Sequence, residues 1–263
     1  MTYSNPAAYE QFMGRWSARL APLFAQFAGI RDGQCVLDVG CGTGSLSRAL
    51  LASGKAINVV GVDPTEDYVS FARQATSDPR AKFQVGAAES LPFSSGSFDA
   101  ALALLVLQDM EEPGRAVREM ARITRRGGPV AACLWDFRDG MPMFSLFWQA
   151  AEAVAPEAVA RRRAEQPPNR PGVQALAELW TGAGLSQVRT TGLELSQAFS
   201  SFEDFWLPFL AGPTSTCQFA IAVNRETGGE IANALHRIIP NMRPDGSFAL
   251  PARAFAVSGI ADI

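Results

Sequence analysis

The chain has 263 residues, 48% hydrophobic and 19% charged, and can bury about three quarters of its unfolded surface. A disordered tail or a mini-protein stapled by disulfides is thereby excluded. Its 23 basic and 26 acidic residues leave a formal charge of −3, without the basic surplus of a phosphate reader, so no nucleic acid is expected as a partner.

Tyr9, Phe12, Met13, Trp16, Leu20, Leu23, Phe24 and Phe27 recur at spacings of three and four. That pattern predicts an amphipathic helix with an aromatic face. Pro22 can bend it, and Arg31, Asp32 and Gly33 form the turn that ends it. Residues 34–39 then read as a short apolar strand, followed at once by a glycine-rich loop over 40–44. Residues 45–52 are expected to be helical, with Ser53 and Gly54 as the stop, and 58–63 form the next strand. Thr65 is the expected N-cap of a helix over 65–75 whose Tyr68, Val69, Phe71 and Ala72 mostly face inward.

The alternation continues with a short strand at 82–85 and a segment, 97–107, that begins polar and becomes an apolar strand. Pro113 suits the first turn of a helix over 113–124, Gly127 and Gly128 stop it, and 129–135 is another buried strand. Strands without in/out alternation, separated by helices, imply a parallel sheet covered on both faces. Residues 34–135 are therefore expected to form a doubly wound α/β sheet. Beyond them, 142–159 reads as a helix that Pro156 can break. The run Arg161, Arg162, Arg163 reads as a solvated helix end, with contact to an acidic substrate as the other reading. A loop over 166–172, a helix over 173–181 and an alternating strand over 187–195 follow. Residues 199–239 are aromatic-rich and mainly helical, and 246–257 close the chain as a strand.

The four cysteines, Cys35, Cys41, Cys133 and Cys217, form no CxxC pair, so a metal or disulfide framework is not expected and a reducing cytoplasm is. The opening residues contain no apolar leader, and the longest apolar run, 100–107, is far short of a membrane span.

Gly40, Gly42 and Gly44 sit between a strand and a helix, where glycines let the backbone turn sharply and approach a ligand beside free helix N–H groups. Ser45 stands where the dinucleotide fingerprint needs a third glycine, which weakens a dehydrogenase reading, and no lysine follows as in a P-loop. Asp38 precedes the loop, and Asp63 ends the next strand, where an acid can accept hydrogen bonds from ribose hydroxyls. Asp38 would repel a phosphate and attract a cation. A cationic nucleoside is the ligand this combination favours.

At these residues the chain resembles the class I S-adenosylmethionine-dependent methyltransferases, and within them the small-molecule branch that includes ubiquinone and menaquinone C-methyltransferases. The resemblance is carried by Val36-Leu-Asp-Val-Gly-Cys-Gly-Thr-Gly44, Val60-Gly-Val-Asp63, Ala88-Glu-Ser-Leu-Pro-Phe93, Ser97-Phe-Asp99 and the segment from Arg118 to Gly128, in order and at the family's spacing over about a hundred residues. It implies a Rossmann-like, mostly parallel seven-stranded sheet with an N-terminal helical cap (1–30). The core would comprise 31–198 and 246–263, with a helical lid insertion (199–245) before the last strand. It further implies that Asp38 and the loop of Gly40, Cys41, Gly42 and Thr43 hold the methionine part of S-adenosylmethionine. Asp63 would take the ribose hydroxyls, Pro64 would line the adenine, and Ala87 and Ala88 would read the adenine edge. Ala103, Leu104 and Gln108 would lie where cofactor and acceptor meet. At Ala87 similar proteins often carry an aspartate; Glu89 is the available substitute.

The implied reaction is in-line methyl transfer to a small, apolar or aromatic molecule, leaving S-adenosylhomocysteine. A sulfonium activates its own methyl, so the protein chiefly positions two reactants and excludes water. No metal is required. Asp109, His236 and Tyr9 are the candidate bases; Cys41 reads as a small loop residue. Of the aromatic residues, most belong to the core, and Tyr9, Trp16, Trp135 and Trp206 are the candidates for the acceptor pocket. A catalytically silent S-adenosylmethionine-binding module is the alternative, and aminopropyl transfer a weaker one, because acids that would hold an amine are not evident after the fourth strand.

Overall fold

The computed structural model describes residues 5–53, 56–165 and 172–262. At the N-terminus, α1 (Pro6–Tyr9) is capped by Asn5, whose side chain accepts from Ala8 N–H. A π-helical stretch, Glu10–Gly14, leads into α2 (Arg15–Ala28), so the expected single helix carries a wide turn near its start. A Cβ on Gly14 would stand 2.8 Å from the Glu10 carboxyl, which folds back over it. Pro22 is accommodated inside α2, and Gly29, at φ +71°, ends the helix before the turn residues 31–33.

Seven strands make one sheet: β1 (Cys35–Val39), β2 (Asn58–Asp63), β3 (Ala81–Val85), β4 (Ala100–Leu104), β5 (Pro129–Trp135), β6 (Ser186–Phe199) and β7 (Phe248–Ile260). Their order is β3-β2-β1-β4-β5-β7-β6. The first five are parallel, and β7 runs antiparallel to both β5 and β6. This is the expected doubly wound, mostly parallel α/β sheet. Within β4, Ala100 and Leu102 pack into one apolar layer and Ala101 and Ala103 into the other, so both faces are dry.

The helices between the strands are α3 (Ser45–Ala52), α4 (Glu66–Ala75), α5 (Pro113–Ile123), α6 (Pro142–Val154), α7 (Pro156–Glu165) and α8 (Val173–Gly182). Between β6 and β7 come α9 (Phe202–Ala211), α10 (Ser215–Glu226) and α11 (Glu230–Ile238). One layer joins α2, α3, α6 and α9–α11, and the other holds α5 and α8. Pro156 separates α6 from α7, because proline lacks the N–H that would continue the first helix.

Several boundaries differ from expectation. The strand expected at 97–107 is only β4; Asp99 leaves the ladder to accept from Cys35 N–H at 2.7 Å and to pair with Arg125. After β4, Leu105 adopts φ +62° and residues 107–109 form a 3-10 turn. Strand β6 runs on to Phe199 because β7 pairs with it as far as Phe199 opposite Phe248. Thr65 stands at the N-cap of α4, yet its side chain makes no cap bond. The expected loop over 166–172 falls, except for Gly172, outside the described residues, as does Gly54. No helix among the described residues is long and apolar enough to cross a membrane.

Candidate active site

With β2 and β3 on one side of β1 and β4 and β5 on the other, the strand order reverses between β1 and β4, the position where open α/β sheets leave a crevice at the carboxyl ends of their strands. A cavity of about 340 Å³ opens there. Asp38 reaches it from β1 with only 1% of its surface exposed. Its Oδ2 accepts from both Ser47 N–H, at 3.0 Å, and the Ser47 hydroxyl, at 2.7 Å, so the same carboxylate fastens the first turn of α3. Burial dominates its titration and pushes it up to about 6, against the lowering effect of those bonds.

The glycine loop follows. Gly40 sits at φ +67°, and a Cβ there would stand 2.5 Å from a Val106 methyl, so the turn and the close approach both demand glycine. Cys41 N–H donates to Val62 O at 2.9 Å, and Gly42 N–H donates to Asp63 Oδ2 at 3.1 Å, which clamps the loop onto the end of β2. At Gly42, φ +51°, a Cβ would find nothing nearer than the Tyr68 ring at 3.8 Å, leaving room for a ligand against the backbone. Burial raises the Cys41 thiol well above its ordinary value, so it is no nucleophile at neutral pH.

Asp63, 9% exposed, also accepts from Thr65 N–H through Oδ1 at 3.0 Å, an Asx turn that feeds the chain into α4 in place of a threonine cap. The Thr65 side chain bonds the same carboxylate, which with four lone-pair sites still has acceptor capacity for a ligand hydroxyl. Burial raises its titration too. On the opposite side Gln108 Nε2 donates to Leu105 O at 2.7 Å and to Asp109 Oδ2 at 3.1 Å, bracing the backbone at the strained Leu105. Tyr9, hydrogen-bonded to Ser17, closes the N-terminal side; burial pushes its phenol up.

Asp38, Gly40, Cys41, Gly42, Thr43, Asp63, Leu104, Gln108, Tyr9 and Trp135 thus meet around one cavity. Pro64, Ala87 and Ala88 do not line it. Gly86 N–H donates to Asp63 O at 3.1 Å, which sets the turn holding exposed Ala87 and buried Ala88 beside the end of β2, with Glu89 half-buried. Trp16 and Trp206 are core residues and not part of the wall. Trp16 packs edge-on against Trp135 at 6.4 Å, and Trp206 stacks with Phe209 at 5.8 Å. His236 packs edge-on against Phe202, outside the cavity, whereas Asp109 lines it. Among the described residues no group of His, Cys, Asp or Glu is placed to hold a metal.

Sequence reasoning missed Phe137, Phe144, Trp148 and the run Thr214, Ser215, Thr216, which complete the far wall. The i,i+4 spacing of Phe144 and Trp148 on α6 was available, but it reads equally as core.

Residues 37–132 match a family described as a methyltransferase domain. The chain is 31% identical over 151 residues to a 2-methyl-6-phytyl-1,4-hydroquinone methyltransferase of Synechocystis, covering 56% of this chain and 47% of that protein. It is 31% identical over 173 residues to an uncharacterized methyltransferase of Mycolicibacterium gilvum, covering 65% and 66%. The chain spans 29–47% of the length of five of the curated relatives it matches, the Synechocystis protein among them. In fold it is similar to phosphoethanolamine N-methyltransferase 2 of Haemonchus contortus in complex with phosphomonomethylethanolamine and S-adenosylhomocysteine. The TM-score there is 0.60 at 15% identity, over 100% of this chain and 58% of that one. Residues 37–132 are thus similar to the methyltransferase-domain family, and the seven-stranded sheet is the Rossmann-like methyltransferase fold.

Proposed function

We propose that the cavity at the ends of β1 and β4 binds S-adenosylmethionine and that the protein passes its methyl group to a small, largely apolar or aromatic acceptor. The observation that carries this reading is the pairing of two buried carboxylates, Asp38 and Asp63, with a glycine loop whose backbone is open at Gly42. Among the described residues no cationic side chain lines the cavity beside these buried acids, which favours a cationic ligand, and Asp63 retains acceptor capacity for a ligand hydroxyl. The residues fit the cofactor at its methionine and ribose ends. At the adenine end Ala87 offers no acid, so Glu89 is the group to accept from the amino substituent.

Bound there, S-adenosylmethionine supplies an activated methyl for in-line transfer, with S-adenosylhomocysteine as the product. The chain itself orients and excludes water. Leu104 and the turn braced by Gln108 form one wall, and Trp135, Phe137, Phe144 and Trp148 form an apolar wall beyond it. Tyr9 and Asp109 are the groups in reach of an acceptor proton. Residues 1–30 and 199–245 serve as cap and lid, since Tyr9, Met13 and Ser17 from one and Thr214, Ser215 and Thr216 from the other close over the cavity. The four free thiols suit action in the cytoplasm.

Calorimetric titration with S-adenosylmethionine and with NAD tests the cofactor, and S-adenosylhomocysteine release over a panel of phenols, hydroquinones and amines tests transfer. Binding of the first ligand alone, with turnover on an aromatic acceptor, is the expected result. Absence of S-adenosylmethionine binding would overturn the reading; binding without turnover on any acceptor would leave a silent binding module.

A further inference from the structure

A second cavity, of about 680 Å³, adjoins the first, and Phe137, Phe144, Trp148 and Thr216 line both. Its floor is one face of α6. Phe144, Trp148 and Glu152 recur at i, i+4 and i+8, so the face runs about 12 Å from the wall of the first cavity to Glu152. Arg162 and Arg163, from α7, close the far end.

Charge is segregated along this joined space. Among the described residues, the first cavity holds the carboxylates Asp38, Asp63 and Asp109 and no basic side chain in its wall. Among the described residues the charged groups of the second are Glu152, Arg162 and Arg163. Arg163 is bidentate to Glu152, at 3.0 and 2.9 Å, so that pair is neutral. Arg162 is half-buried, and among the described residues no carboxylate pairs with it. One positive charge is left at the end of an aromatic trough. A guanidinium fork favours a carboxylate or phosphate, and an apolar trough strengthens that attraction relative to open water.

Resting on the methyl-transfer reading of the first cavity, we propose that the acceptor is an amphipathic anion. Its aromatic or apolar body lies on Phe144 and Trp148, with its carboxylate or phosphate at Arg162, at the end of the α6 face away from the first cavity. The segregation also orders the two ligands: the acids draw the cationic end inward, and Arg162 draws the anionic end of the acceptor away from them.

Phenylbutyrate, phenylbutyl phosphate and neutral phenylbutyramide, titrated into the full chain with and without saturating S-adenosylhomocysteine, test this. The two anions are expected to bind at least about tenfold more tightly than the amide, a gap of about 1.4 kcal/mol, and the preferred anion identifies the headgroup. Arg162→Ala should abolish that preference while leaving affinity for the amide unchanged, and Arg162→Lys should restore part of it. Circular dichroism identical to the parent chain separates this from misfolding. Equal affinity for the amide, no measurable binding of either anion, or a preference that survives in Arg162→Ala overturns the proposal. A chain that ignores S-adenosylhomocysteine but keeps the anion preference would overturn the cofactor reading and leave this one standing.

Discussion

Asp38 and Asp63 do two jobs with one functional group each, and that governs what their replacement will show. Asp63→Ala leaves the N–H groups of Gly42 and Thr65 without acceptors, so stability should fall along with affinity for S-adenosylmethionine, by about 1–3 kcal/mol for stability. The affinity loss, about 10–100-fold, is read by calorimetry. Asp38 has a folded pKa raised from 3.8 to about 6, so between those values the folded state holds more protons than the unfolded one. Stability of the unliganded chain should therefore decline as pH rises from about 4 to about 6, by on the order of 3 kcal/mol. A cationic ligand favours the ionised carboxylate, so affinity should rise across pH 6 with proton release, and Asp38→Asn should flatten that dependence. Gly40→Ala places a Cβ at φ +67° and 2.5 Å from Val106. A loss of about 2–4 kcal/mol in urea unfolding is expected. These residues were legible from the sequence because the strand-loop-acid order fixes them within a few residues of one another. The binding of Asp38 to Ser47 was not legible, since it depends on how α3 docks.

At the scale of elements, aromatic residues show where reading stops. Trp16, Trp135, Trp148 and Trp206 look alike in a periodic pattern, yet Trp135 and Trp148 line the cavity while Trp16 and Trp206 do not. Trp206→Ala should cost about 3–5 kcal/mol of stability and leave S-adenosylmethionine affinity unchanged, as for any large core truncation. The N-terminal segment is held to the inserted helices by Arg15, which is bidentate to Asp204 at 2.9 and 3.3 Å and lies over the Phe199 ring at 4.9 Å. The Arg15 guanidinium keeps the Asp204 carboxyl below its ordinary value. Its stabilising effect is thus present above the unfolded pKa and fades as pH falls through the lower folded one. A double-mutant cycle of Arg15→Ala and Asp204→Ala should return a coupling of about 0.5–2 kcal/mol at neutral pH that fades under acid.

For the whole molecule, α2, α3, α6 and α9–α11 share one buried layer with β1, β4, β5 and β7, so the inserted helices do not form a separate core. Unfolding followed by near-ultraviolet circular dichroism and by tryptophan fluorescence should give coincident transitions. The alternation of apolar strands and helices, the glycine loop and the two acids were determined by the sequence itself. All are local: hydrophobic period, turn chemistry and strand ends are set by neighbours in the chain. Tertiary structure alone decided that α6 lends one face to two adjoining cavities, that Arg162 ends up without a partner acid among the described residues, and that two of the five tryptophans line the cavity. Those outcomes depend on how separate elements pack against one another, and hydrophobic burial, being non-directional, does not encode that choice in any single stretch.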